Sequence, residues 1–261
     1  MKKRIVVKIG TNVITRLDGN LDITQMSSLV DQIAEVYNSG CEVIIVSSGA
    51  VACGRSLLRE NNEELDSLDQ RQLFSAVGQA KLIDLYYTLF REHGITVGQV
   101  LTTKESLSGK KQMANQYNCM NVMLRNKIIP IINENDTIAI TELMFTDNDE
   151  LAGLVAKMMN ANLLMLLTNV DGIFGMKNDG SLDAGNLIRE VHDGDDVEKF
   201  VQKKKSSRGR GGMISKESIA AKSSAEGIET YIANGRRRSI ICDLLNKPTE
   251  TPSTHFIPRS K

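Results

Sequence analysis

Two lysines, Lys8 and Lys216, are candidate point charges for an anion. Lys8 interrupts the apolar run from Ile5 to Ile9 and is followed at once by Gly10, Thr11 and Asn12. Lys216 closes the segment Gly211-Gly212-Met213-Ile214-Ser215-Lys216. Glycines let backbone N–H groups come close to an anion, and Gly10, Gly49, Gly211 and Gly212 are all placed to do so. Polar clusters lie between the lysines: Ser47-Ser48-Gly49-Ala50, Asn133-Glu134-Asn135-Asp136, Thr146-Asp147-Asn148-Asp149 and Thr168-Asn169-Val170-Asp171-Gly172. Phosphoryl transfer is mainly positioning plus neutralisation of charge on the moving group, and two flanking ammonium groups suit it. Each feature also has a plainer reading. A strand-end lysine commonly snorkels, Asn and Asp dominate turns, and Asp147 or Asp149 could simply cap a helix.

Other chemistries find little support. His93, His192 and His255 form neither HExxH nor a close pair, so a histidine-built metal site or triad is not expected. Cys41, Cys53, Cys119 and Cys242 include no CxxC, which speaks against a zinc ribbon or disulfide framework; they read as free thiols serving the core. GxxxxGK[ST], GxGxxG, HRD, DFG and GxSxG do not occur.

The elements that must hold these clusters are legible from periodicity. Short apolar runs at Ile5 to Ile9, Glu42 to Val46, Thr96 to Leu101, Ile128 to Ile132, Leu163 to Leu167 and Thr230 to Ala233 read as strands. Met26, Leu29, Val30, Ile33, Val36 and Tyr37 recur at helical spacing, with Asp22 and Gln25 as a capping pair and Gly40 as a stop. Further helices are predicted at Asp69 to Val77, Leu82 to Glu92, Gln112 to Asn126, Asp149 to Met159 and Ser215 to Ala225. Met113, Tyr117, Met120 and Leu124 form a stripe expected to face the core. The stretch Lys203 to Arg210 reads as a mobile charged flap, and Pro248 to Lys261 as a tail or edge strand. Repeated strand, crossover, strand implies an α/β fold, a mostly parallel open sheet sandwiched between helices. In such sheets ligands sit beyond the carboxyl ends of the strands, where the polar clusters would converge.

At 261 residues the chain suffices for one large α/β domain. Lys+Arg 32 against Asp+Glu 32 leaves no net charge, so broad phosphate neutralisation on nucleic acid is not expected. No apolar run approaches the roughly 20 residues that span a bilayer, and Lys8 and Gly10 arrive too early for a secretory signal, so the expected location is cytoplasmic.

Taken in order, Lys8-Ile9-Gly10-Thr11, Ser47-Ser48-Gly49-Ala50, Ile132-Asn133-Glu134-Asn135-Asp136, Asp147-Asn148-Asp149 and Gly211-Gly212-Met213 with Lys216 resemble the amino acid kinase family, nearest its members that phosphorylate glutamate. The similarity runs over nearly the whole chain. It implies transfer of phosphate from ATP, with Mg²⁺, to the γ-carboxylate of L-glutamate in proline biosynthesis. Lys8 and Lys216 would stabilise the transferring group, and Asp149 would hold both lysines. Ser48, Asp136 and Asn148 would bind glutamate, with Gly49, Ala50, Asn133 and Asn135 shaping its pocket. Gly10, Thr168, Asn169 and the segment Arg210, Gly211, Gly212, Met213, Ile214, Ser215, Lys216 would line the nucleotide; metal ligands are not assigned. Substrate and nucleotide are both anionic, so aligned donors must offset their repulsion, and a carboxylate such as Asp136 fits an amino-acid ammonium.

The chain departs from the family pattern at two places. Arg210 stands where a Thr is usual, and Asn169 where an Asp is usual. Arg210 either adds a bidentate phosphate contact or extends the solvated run from Lys203. Many members carry a C-terminal PUA domain, and a single domain over 1–261 is expected here without one. The resemblance also implies homo-oligomers, feedback inhibition by proline and handoff of the acyl phosphate to glutamyl phosphate reductase. Within the fold, kinases of acetylglutamate, aspartate, UMP or isopentenyl phosphate are the alternatives; acetylglutamate lacks the amine Asp136 would meet. A catalytically silent amino-acid sensor would not need both lysines, and a basic-loop RNA binder would show steep salt dependence.

Overall fold

A computed structural model describes residues 3–58, 65–138, 145–177, 179, 181–195 and 212–259. Six strands form close to the predicted positions: β1 (Arg4–Ile9), β2 (Glu42–Ser47), β3 (Thr96–Thr102), β4 (Ile128–Glu134), β5 (Leu163–Thr168) and β9 (Glu229–Asn234). They join β10 (Ser253–Phe256) and β8 (Glu190–Val191) in one sheet of order β3-β4-β2-β1-β5-β9-β10-β8. Neighbours from β3 to β9 run parallel, whereas β10 pairs antiparallel to β9. The C-terminal stretch is therefore neither a tail nor an edge: β10 lies between β9 and β8. A separate hairpin joins β6 (Phe174–Met176) to β7 (Leu182–Leu187).

Helices cover both faces. On one, α1 (Thr11–Ile14), α2 (Ile23–Asn38), α4 (Ser67–Arg91) and α9 (Ile240–Asn246) pack over Ile5, Val7 and Ile9 of β1. On the other, α5 (Lys104–Ser108), α6 (Lys110–Arg125), α7 (Asn148–Met158) and α8 (Met213–Ala225) pack over Val6, Ile44 and Leu166. Side chains alternate along a strand, so Lys8 shares the face of Val6 and points toward α7 and α8. The Asp22 carboxylate accepts from Gln25 N as the N-cap of α2, and Gly40 adopts φ +98° just past its end.

Three further expectations are corrected. The two helices predicted over Asp69–Val77 and Leu82–Glu92 are one, α4. The remaining short helix before it, α3 (Ala50–Leu57), packs directly on α4 through a pair of glycines. A Cβ on Gly54 would lie 1.8 Å from the Phe74 carbonyl oxygen, and one on Gly78 1.9 Å from that of Ala50. Gly78 thus sits mid-helix for close approach, not as a break. The stripe on α6 is only half buried: Met120 is fully enclosed and Leu124 partly so, but Met113 and Tyr117 are exposed because α6 is peripheral and flanks the edge strand β3. Cys119 on the same helix is exposed too, while Cys53 and Cys242 are buried as expected and all four thiols are free.

Candidate active site

β1 lies where the sheet order reverses, with β2 on one side and β5 on the other, and that is where an open α/β sheet forms a crevice. A cleft of about 1060 Å³ opens there, over the carboxyl ends of β1, β2, β4 and β5. Lys8, Gly10, Ser48, Gly49, Ala50, Asn133, Asp136, Asn148, Asp149, Thr168, Asn169 and Lys216 all line it. Chain segments more than 200 residues apart in sequence, at Lys8 and Lys216, meet in this one space.

Asp149 is its electrostatic centre. It occupies the first turn of α7 and is fully buried. Lys8 Nζ stands 2.6 Å from its Oδ1 and Lys216 Nζ donates to its Oδ2 at 2.9 Å. Burial by itself would push the Asp149 carboxyl up, but the two ammonium groups outweigh it and hold the carboxyl below its ordinary value. Burial pulls Lys8 below the usual lysine range; Asp149 opposes that shift and the neighbouring Lys216 charge adds to it. The result is a pair of desolvated cations aimed by one carboxylate, a device for charge that develops on a third group.

At the other end an amide network sets a polar wall. Asn148 Nδ2 donates to Asn133 Oδ1 at 2.8 Å, Ser48 Oγ at 3.0 Å and the Ser47 carbonyl at 3.1 Å. Asn133 Nδ2 in turn donates to Gln79 Oε1 at 2.8 Å. With its nitrogen committed, Asn148 leaves Oδ1 without a hydrogen-bond partner among the described residues, as is Asp147 Oδ2. Buried acceptors of this kind are costly unless a donor or cation arrives. Gly49 makes the turn into α3 at φ +104°, a region that favours glycine, and puts Ala50 at the first position of the helix.

Sequence reasoning missed Arg71. Its guanidinium, on α4, reaches Glu134 Oε2 at 3.0 Å and also pairs with Asp136. Glu134 is buried and its Oε1 accepts the Phe145 N–H at 2.9 Å. Asp136 therefore reaches the cleft already sharing a guanidinium. No local pattern announces a partner 63 and 65 residues away. Gln79, Asp147, Arg55 and Gln70 also contribute to the site or its lining without having been singled out as ligands.

Some predicted residues fall elsewhere. Asn135 is not in the cleft lining; its N–H goes to the Thr102 carbonyl and its Oδ1 accepts the Thr137 hydroxyl, which makes it a turn residue. Gly212, Met213, Ile214 and Ser215 start α8, but of that segment only Lys216 lines the cleft. Arg210, Gly211 and the flap Lys203–Arg210 lie outside the described residues. No group of three or more His, Cys, Asp or Glu suited to a metal occurs among the described residues. The unpartnered oxygens of Asp147 and Asn148 are hard donors of the kind Mg²⁺ accepts, and an ion carried by nucleotide phosphates needs only one or two protein ligands. Among the described residues, these two oxygens fit a Mg²⁺ that phosphates carry in. No helix among the described residues is long and apolar enough to cross a membrane.

Known proteins place this geometry in context. The family model described as amino acid kinase family matches residues 3–234. A glutamate 5-kinase of Bacteroides thetaiotaomicron is 58% identical over 259 residues, covering 99% of this chain and 71% of that protein. One from Chlorobaculum tepidum is 44% identical, covering 92% of this chain and 65% of its own length. One from Clostridium acetobutylicum is 38% identical, covering 99% and 96%. Among solved structures, UMP kinase from Ureaplasma parvum superposes with a TM-score of 0.64 at 15% identity, covering 98% of this chain and 99% of that one. Giardia carbamate kinase does so with 0.65 at 14%, covering 99% of both. These two share the fold. The chain belongs to the amino acid kinase family, and the three relatives named above, which cover 92% or more of it, are glutamate 5-kinases.

Proposed function

We propose that this chain transfers the γ-phosphoryl group of ATP to the γ-carboxylate of L-glutamate, forming glutamyl 5-phosphate and ADP, the first step of proline biosynthesis. The observation that carries this reading is the meeting of Lys8 and Lys216 on the two oxygens of Asp149. A carboxylate oxygen of glutamate bonds to the γ-phosphorus as the bond from that phosphorus to the β-bridging oxygen breaks. Glutamate is already ionised at neutral pH, with an ordinary side-chain pKa of about 4.3, so no proton has to leave the nucleophile. That agrees with a cleft whose lining, among the described residues, contains no histidine. Asp149 is no base: both its oxygens are taken by lysines that keep it charged. Its task is to aim them.

Lys8 and Lys216 stabilise charge on the moving phosphoryl oxygens. Gly10, Thr168 and Asn169 border the nucleotide side. Ser48, Asp136 and Asn148 bind glutamate, and the unpartnered oxygens of Asp147 and Asn148 accept from its ammonium or meet the nucleotide's cation. When bound, Mg²⁺ neutralises the β- and γ-phosphates. The carboxylates at the substrate end favour a free amine over an acetylated one, because an amide cannot supply a cation. The test is a hydroxamate assay for acyl phosphate that requires both ATP and glutamate, with acetylglutamate and aspartate as competing substrates. Product formed only with glutamate supports the reading; product with acetylglutamate alone, or none with any acid, defeats it.

A further inference from the structure

We infer that Asp171 and Arg237 form a latch that positions the loop after β5, and so governs nucleotide affinity without touching the nucleotide. The inference rests on the reading above, in which Thr168 and Asn169 face ATP. Both residues line the same cleft as Gly10 and Lys216, whereas Asp171, two residues further, is not in the lining. Its carboxylate turns the other way. Oδ1 accepts from Arg237 Nε at 2.7 Å and Oδ2 accepts from Arg237 Nη2 at 2.6 Å, a bidentate pair of the geometry that fixes orientation as well as distance. Asn234 Nδ2 adds a third bond to Oδ1 at 3.0 Å. The bond from Arg237 is the main reason the Asp171 carboxyl lies below its ordinary value.

The turn after β9 that carries Arg237 is itself anchored. The Gly235 N–H donates to the Thr168 carbonyl at 2.8 Å. Asn234 Oδ1 accepts the Arg236 N–H at 3.0 Å. Arg236 reaches across to α1, donating from Nε to the Asn12 carbonyl at 2.9 Å and from Nη2 to that of Thr15 at 2.6 Å. The far end of the β5 loop is tied separately, where the Ile173 N–H donates to Thr254 Oγ1 at 2.8 Å. One turn thus grips, through adjacent arginines, the two cleft-lining segments that follow β1 and β5. Asp171 is the handle on the second.

The pair is partly exposed, with side chains 25% and 42% accessible, so its share of global stability is small. Its leverage is local. Released, the segment from Asn169 to Asp171 would have to be ordered again each time nucleotide binds, which costs affinity. A role confined to stability would instead lower the melting temperature and disturb both substrates alike.

The experiment compares Asp171→Ala, Arg237→Ala, Arg237→Lys and the double alanine variant with the wild-type chain. It measures KM for ATP and for glutamate, the Tm, and the Kd of a non-hydrolysable ATP analogue. Each single alanine is expected to raise the analogue Kd and the KM for ATP about fivefold while leaving the KM for glutamate unchanged. The double variant should be no worse than either single, and Arg237→Lys, which keeps charge but loses the fork, should fall between. Unchanged analogue affinity in the singles, effects that multiply in the double, or equal losses for both substrates would each overturn the latch. A wild-type chain that binds the analogue yet phosphorylates no glutamate defeats the proposed function instead, and the analogue titration alone then decides the latch.

Discussion

Lys8 and Lys216 share one carboxylate, each on its own oxygen, at 2.6 and 2.9 Å from Asp149. Two ammonium groups this desolvated repel one another unless an anion lies between them. Asp149→Asn keeps the shape and removes the charge, so the lysines lose their aim and Lys8, pulled down by burial, loses the charge that opposes that shift. The expected result is a fall in kcat of about 10²-fold or more with a much smaller change in glutamate KM. Lys216→Ala should act in the same direction, because its contact strengthens as the phosphoryl group leaves ATP. Steady-state kinetics with each substrate varied checks both. An unchanged kcat in either variant removes the shared role.

Lys8 sets the alkaline limit of activity. Burial holds Lys8 below the ordinary lysine value of 10.5. The proposed role needs the protonated form, so kcat should decline as pH rises through that lowered value, before an ordinary lysine would titrate. Lys8→Arg stays charged throughout and should lose most of that decline, at a reduced maximal rate because its fork does not reproduce a compact ammonium. A pH profile of kcat for the two proteins is the measurement. If the wild-type limb survives unaltered in the arginine variant, another group is titrating.

Much of this arrangement was legible before coordinates, for identifiable reasons. A charge inside an apolar strand is rare enough that Lys8 declared itself, and two-residue alternation gave the face it shares with Val6. Asp22, Gly40 and the Thr146 to Asp149 cluster acted through local backbone chemistry that short windows capture. What escaped depends on contacts distant in sequence. Arg71 gains its meaning only where β4 delivers Glu134 and Asp136 beside α4. The helix over Ser67 to Arg91 reads as two because the reason Gly78 can sit inside it, the backbone of α3, lies elsewhere in the chain. Met113 and Tyr117 have helical spacing, but spacing cannot say whether anything packs on that side, and on α6 little does. Asn135 belongs to the same polar cluster as Asn133 and Asp136 but turns into its own loop.

Arg71 makes a prediction about substrate preference. Its guanidinium spans Glu134 and Asp136, so an ammonium arriving at Asp136 shares a carboxylate already oriented from behind. Asp136→Ala should chiefly raise the KM for glutamate. Arg71→Lys cannot grip two carboxylates with a single point charge and should raise it by roughly tenfold, with the ATP KM little changed. Arg71→Ala takes the guanidinium away from Glu134, which is only 1% exposed, and should also cost about 3 kcal/mol of stability. KM values for both substrates, with a denaturant midpoint, separate these effects. An effect of Asp136→Ala confined to ATP would show that the two ends of the cleft have been assigned backwards.

The contact between α3 and α4 ties stability to substrate binding. Ala50 opens α3 at the substrate end, and its carbonyl oxygen would lie 1.9 Å from a Cβ placed on Gly78. That oxygen is backbone, so Gly78→Ala can be accommodated only by parting the helices. The expected cost is about 3 kcal/mol, a Tm drop of roughly 6–12 °C for a chain this size. Moving Ala50 also moves the turn at Gly49 that borders the cleft, so glutamate KM should rise in the folded fraction while ATP KM changes less. Gly54→Ala, with its Cβ 1.8 Å from the Phe74 carbonyl oxygen, should behave alike. Gly185→Ala is the control: its nearest neighbour is a side-chain oxygen of Asp183 at 3.5 Å, an ordinary contact, so both Tm and KM should hold. Thermal melts and kinetics on the three variants decide it, and a Gly78→Ala protein as stable as the Gly185→Ala one would mean that the helices are not pressed together through Gly54 and Gly78.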